Sequence, residues 1–154
     1  MIKAIETRYK GYRFRSRLEA RYAIFFDELG VEWDYEPEGF DLGELGCYLP
    51  DFFLHGNSHY GPYVEVKGIK PTGKEIEKLC TLCRNKSAYG VIVWGAPGEN
   101  KWLAIDKEGD LTGEEYFTPL WHMIPNLEWE DARIKLPAAV AAARSARFEH
   151  GERA

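Results

Sequence analysis

Asp51, Glu65 and Lys67 interrupt two runs of aromatic and branched residues that otherwise suit buried strands: residues 48–68 read YLPDFFLHGNSHYGPYVEVKG. The turn formers at 55–61 make this a hairpin between strands at 47–54 and 62–67. Pairing symmetric about Ser58 sets residue i against residue 116 − i, which places Asp51 opposite Glu65. Alternation then sends Phe52, Leu54, Val64 and Val66 to one face, and Asp51, Glu65 and Lys67 to the other. Two like charges about 5 Å apart destabilise a sheet unless something positive lies between them. A single ammonium two residues along cannot lie between both carboxylates and satisfy their remaining lone pairs. A divalent cation can. Mg²⁺ or Mn²⁺ takes oxygen ligands, is held by one or two carboxylates, and keeps positions for water and phosphate. Lys67 on the same face would orient or help deprotonate a water, or offset charge developing on a phosphate. The chemistry is attack of an activated water on a phosphodiester, hence hydrolysis of a nucleic-acid backbone.

The elements that must position these groups follow from the spacing of the apolar residues. Leu18, Tyr22, Phe25, Phe26 and Leu29 recur at helical intervals over 16–29, with Ser16 and Glu19 at capping-box spacing and Gly30 at the C-terminal stop. Val31, Trp33 and Tyr35 alternate as a strand closed by Pro37, and an acidic loop follows at 38–46. A second helix is predicted over 73–85 behind a Thr72/Glu75 capping box, with Ile76, Leu79, Cys80 and Cys83 as its apolar stripe. Strands at 91–94 and 102–105 come next, then mostly loop over 108–136 with an aromatic segment at 117–129. The alanine-rich tail, 137–148, reads as a helix with Pro137 in its first turn. The fold class is α/β.

With 154 residues, 45% of them hydrophobic, the chain suits one domain with one buried core. Neither a membrane span nor a secretory signal is visible, so a cytoplasmic protein is expected. Cys47, Cys80 and Cys83 are an odd number that argues for reduced thiols. Cys80 and Cys83 would need His55 and His59 to build a zinc site, and buried helical thiols are the simpler reading. The net charge of −5 excludes a generic nucleic-acid-coating protein. Basic residues nevertheless crowd the N-terminal segment, Arg13, Arg15 and Arg17 among them, as either a polyanion contact or a solvated arm. Lys70, Lys74 and Lys78 along the second helix carry the same two readings.

Pro50-Asp51, thirteen intervening residues and Glu65-Val66-Lys67 together resemble the PD-(D/E)XK nuclease superfamily. FRSRLE, YEPEGF, YLPDFF and VEVKG are similar to small phage- or prophage-encoded members and to the N-terminal catalytic domain of a transposition endonuclease. The resemblance implies a restriction-endonuclease-like core: helix, three-strand meander, helix and mixed-sheet strands. That core would span about 12–105, with a C-terminal extension at 108–154 ending in an added helix. It further implies Mg²⁺- or Mn²⁺-dependent cleavage of DNA by a monomer, a homodimer or a chain activated by a partner protein. Asp51, Glu65 and the backbone carbonyl of Val66 would be metal ligands, and Lys67 the water-positioning base or electrophile. Glu19 matches a first-helix glutamate that completes the metal site, a role that competes with its place in a capping box. Arg13, Arg15, Arg17, Lys70 and Lys74 would meet the DNA. The competing class is a binding module that uses the same fold without turnover.

Overall fold

The computed structural model describes residues 5–56, 62–115 and 129–148. His59, Trp121 and most of the aromatic segment at 117–129 lie outside them. An N-terminal hairpin comes first, β1 (Thr7–Tyr9) and β2 (Tyr12–Phe14), joined by Lys10-Gly11. Both turn residues have positive φ, 52° and 81°, as a two-residue turn matched to strand twist requires. Sequence periodicity did not single out this hairpin, because three-residue strands carry too little alternation to register. Helix α1 (Arg17–Glu28) follows, with the capping box at Ser16 and Glu19 formed and Gly30 at φ 76° just past its end.

Strand β3 (Trp33–Tyr35) opens the main sheet. The expected loop at 38–46 contains β4 (Phe40–Asp41) and a 3-10 turn, Gly43–Leu45. The expected single strand at 47–54 is two: β5 (Cys47–Tyr48), paired with β4, and β6 (Phe52–Leu54) in the main sheet. Pro50 has no N–H for a ladder, and the Asp51 carbonyl accepts from the Glu36 amide at 2.7 Å, so the chain bends out between the two strands. Strand β7 (Tyr63–Lys67), helix α2 (Gly73–Lys86), β8 (Gly90–Trp94) and β9 (Trp102–Ile105) fall where the sequence sets them, to within a residue. Residues 108–136 are less irregular than expected, since β10 (Leu111–Glu115) and the start of α3 (Trp129–Ser145) lie within them. Pro137 is therefore inside α3, not in its first turn. An interior proline costs about 3 kcal/mol. Packing offsets it: Ala139 and Ala143, both fully buried, sit with Ala20 and Ala23 of α1 in one core cluster. Arg21 of α1 then satisfies the C-terminal carbonyls of α3, donating to Ala143 at 2.7 Å and Arg144 at 2.9 Å.

The main sheet has six strands in the order β10-β9-β8-β7-β6-β3. β3, β6 and β7 form an antiparallel meander, α2 crosses over to make β8 parallel to β7, and β9 and β10 return antiparallel. Phe52, Leu54, Val64, Val66, Val91 and Val93 pack with α1 and α3 on one face. Tyr63 and Ile92 pack with Leu79, Leu82 and Cys83 of α2 on the other. Glu65 and Lys67 share the parity of Tyr63 and so belong to the α2 face. No helix among the described residues is long and apolar enough to cross a membrane.

Helix α2 sits so close to β8 that a Cβ on Gly90 would lie 2.6 Å from the Cys83 sulfur and 3.1 Å from Leu79 Cγ. Gly90→Ala is thus expected to lower stability by about 1–3 kcal/mol through overpacking, read as an earlier urea midpoint. Burial pushes the Cys83 thiol up to about 12, with the neighbouring Cys80 and Asp106 adding to it. His55 is engaged elsewhere, its Nε2 2.7 Å from Asp34 Oδ2. Cys83 is a core group, as the simpler sequence reading has it, while Cys80 is half-buried against the same cluster.

Candidate active site

The observed register has Phe52 against Val64 and Phe53 against Tyr63. Continued by one residue it sets Asp51 against Glu65. Both are 8% exposed, and Glu19 is 7% exposed. These three are the buried charged residues among those described, and buried carboxylates are costly unless paired.

Each is held by specific donors. Asp51 Oδ2 accepts from the Val66 amide at 2.8 Å, and Glu65 Oε2 from the Tyr48 hydroxyl at 2.5 Å. Burial pushes the Tyr48 hydroxyl far up in pKa, with the Glu65 charge adding to it, so it stays a donor at any working pH. The Asp51 and Glu65 carboxyl groups lie within hydrogen-bonding reach of each other. Asp51 is driven strongly upward, first by burial, then by the charge and hydrogen bond of Glu65 and the charge of Glu19; the Val66 amide opposes this only in part. In the metal-free protein the pair therefore holds a proton, the smallest cation that lets the two oxygens coexist.

The Val66 carbonyl faces the same place. The Val66 amide points toward the β6 side, to Asp51, and in a strand the carbonyl of the same residue points the same way. Two residues further along the register its ladder partner is Pro50, which has no N–H to donate. Proline directly before the aspartate thus leaves a main-chain oxygen beside the acidic pair without a donor from that position.

Glu19 fills its place in the capping box of α1 and is held by Tyr35 as well. Its Oε2 accepts from the Ser16 amide at 3.1 Å and from the Tyr35 hydroxyl at 3.0 Å. The cap uses one oxygen, while the charge of Glu19 is felt at Asp51.

Lys67 is half-buried and its Nζ lies 2.7 Å from Glu75 Oε2. Burial works against the ammonium, but the hydrogen bond to Glu75 and the charges of Glu65, Glu75 and Asp51 outweigh it, and the net shift is upward. Lys67 is a fixed cation and not a proton acceptor at neutral pH. Glu75 is held below the usual carboxylate range, first by Lys67 and then by the Thr72 amide. It caps α2 with Oε1, 2.8 Å from the Thr72 amide, and holds Lys67 with Oε2. Sequence reasoning saw only the cap. It also passed over Tyr48, whose place in an apolar run hides a hydroxyl aimed at Glu65. Glu75→Gln is expected to keep the cap but loosen Lys67, reducing turnover about tenfold in single-turnover kinetics while leaving the melting temperature within a few degrees.

The basic residues divide into engaged and open ones. Arg13 pairs with Glu6 at 2.9 Å, and Arg15 with Glu36 at 2.5 Å beside the Tyr35 hydroxyl. Arg17 stands in the first turn of α1, and its buried Nε has no hydrogen-bond partner among the described residues. Lys70 and Lys74 are exposed next to Lys67 and at the start of α2, with no ion-pair partner among the described residues. A cation at a helix N-terminus opposes the helix dipole, so Lys74 and Arg17 are placed at some cost to their helices.

Among the described residues no group of three or more His, Cys, Asp and Glu side chains is arranged to hold a metal ion. What the site offers is two carboxylates and a main-chain carbonyl, with Glu19 behind them. That donor set, all oxygen and short of a full shell, suits Mg²⁺ or Mn²⁺ and leaves room for water and phosphate. No family model, curated protein or solved structure matches the chain.

Proposed function

We propose that this protein is a divalent-metal-dependent DNA endonuclease of the PD-(D/E)XK type, acting in the cytoplasm, or in that of the host if phage-encoded. The observation that carries the reading is the proximity of the buried charged residues: Asp51 and Glu65 face each other across β6 and β7, the charge of Glu19 is felt at Asp51, and Lys67 feels the charge of both strand acids. A fold keeps such a cluster only for a use that outweighs its instability. The order of helix, three-strand meander, helix and parallel strand within the mixed sheet supports a restriction-endonuclease-like core around it.

Asp51, Glu65 and the Val66 carbonyl would hold Mg²⁺ or Mn²⁺, which supplies Lewis-acid activation of water and offsets phosphate charge. The chain's own groups do the rest. Tyr48 and the Val66 amide fix one oxygen of each carboxylate, so the other is presented without rotamer loss. Lys67 directs its ammonium at the phosphate oxygens that gain charge, and Glu75 fixes where that ammonium sits. Glu19, anchored by Tyr35, would complete the metal site from behind the two strand carboxylates. Arg15, once released from Glu36, and Arg17, Lys70 and Lys74 would serve as phosphate contacts, and Arg13 lies in β2, the strand leading to α1.

The test is incubation of purified protein with linear, nicked, branched and single-stranded DNA and Mg²⁺ or Mn²⁺. Cleavage that needs the ion and is lost in Asp51→Ala is expected; cleavage retained in that variant overturns the reading. The net charge of −5 favours a second reading, a partner-activated or non-catalytic DNA- or protein-binding module, because a lone nuclease must hold its substrate against salt. That module would bind DNA or a partner protein without cutting DNA, whichever ion is supplied.

A further inference from the structure

Ile69 is 80% exposed, the most exposed large apolar side chain among the described residues. Isolated apolar residues on a surface need no explanation by themselves. The position of this one does. It stands in the chain two residues after Lys67 and just ahead of Lys70 and Lys74, both exposed. The loop that carries it is tied at both ends. The Lys67 carbonyl accepts from the Gly95 amide at 3.2 Å, Pro71 is buried, and Thr72 is locked into the cap of α2. An apolar tip is therefore held rigidly beside the candidate site and flanked by phosphate-seeking charge.

We infer that Ile69 is a wedge that enters the stack of a DNA duplex next to the scissile phosphate, so that the preferred substrate is DNA with a weakened step. This rests on the endonuclease reading above. Two residues of chain reach at most about 7 Å, and bases repeat every ~3.4 Å along a strand. With the reach of the two side chains added, the wedge enters within a few nucleotides of the phosphate that Lys67 meets. Unstacking an intact step costs about as much as burying one isoleucine returns. Insertion is consequently near balance on well-stacked DNA, and favourable at a mismatch, a nick or a pyrimidine–purine step. Lys70 and Lys74 hold the flanking phosphates while the step opens.

The test uses the full chain with duplexes carrying 2-aminopurine beside a mismatch. Ca²⁺ replaces Mg²⁺ for the binding measurement, and Mg²⁺ is used for the cleavage measurement. Wild type is expected to raise the 2-aminopurine fluorescence, and to cut the mismatched duplex about tenfold faster than a uniform G·C-rich one. Ile69→Ala should bind without the fluorescence rise and lose that preference, while cutting the G·C-rich duplex within about twofold of wild type. Because the side chain is exposed, the variant's thermal midpoint should match wild type. An unchanged fluorescence rise and cleavage ratio in Ile69→Ala would overturn the wedge and leave the endonuclease intact. Absence of cleavage of every duplex by wild type would overturn both.

Discussion

Asp51→Asn is expected to abolish DNA cleavage while making the metal-free protein harder to unfold. The amide keeps the shape of the carboxyl group, its oxygen can still accept from the Val66 amide, and its NH₂ donates to Glu65. The buried like-charge pair disappears, and with it the need for a proton, which should raise the free energy of unfolding by about 1–3 kcal/mol. The same change removes one of the two carboxylates proposed to hold the metal, so turnover should fall by about three orders of magnitude or more. The pH dependence of stability changes too. Because the folded state raises the pKa of Asp51, the fold binds a proton that the unfolded chain has released. That contribution is complete below the ordinary aspartate range and is lost progressively as pH climbs toward the raised folded value. Wild-type protein without metal should accordingly melt at lower temperature as pH rises through neutrality, and Asp51→Asn should show a shallower slope. Mn²⁺ should flatten the wild-type slope by taking the proton's place. Thermal melts across pH, with and without Mn²⁺, read all three.

Lys67→Ala is expected to lower single-turnover cleavage by about 10²–10⁴-fold without loss of metal affinity. The upward shift keeps this group an ammonium, and in the proposed mechanism its role is charge and not proton transfer, so no pH in the neutral range should restore the variant's rate. Its removal also takes a positive charge away from Glu65 and Asp51, which should tighten Mn²⁺ binding slightly. A rate that falls together with metal affinity would instead make Lys67 part of the ion's own environment.

Much of this site could be read from residue types because hairpin register follows from a turn and a period of two. The pairing of residue i with 116 − i is the observed one, since a slip of one residue would drive Phe52 and Val64 out of the core. Asp51 and Glu65 face each other for that reason. What stayed hidden are groups with two jobs. Glu75 satisfies a capping box so well that its second oxygen, on Lys67, leaves no trace in the spacing. Tyr48 counts as an apolar strand residue until its hydroxyl is seen at Glu65. The short strands β1, β2 and β4 escaped because none carries an apolar alternation long enough to register, and β5 was contained in the single strand expected at 47–54. α3 began earlier than expected because burial of Ala139 and Ala143 against α1 overrides the local signal of Pro137. The bend between β5 and β6 was implicit in Pro50, whose missing N–H both ends the ladder and leaves the Val66 carbonyl facing the acids.

The central claim, that the buried acid pair is a divalent cation site held open by a proton, is tested most directly by calorimetric titration of the protein with Mn²⁺ in two buffers of different ionisation enthalpy. The account predicts saturable binding that releases about one proton per ion, tightens as pH rises, and vanishes in both Glu65→Ala and Asp51→Asn. Binding that persists unchanged in those variants, or an absence of binding by folded wild-type protein at alkaline pH, would contradict it.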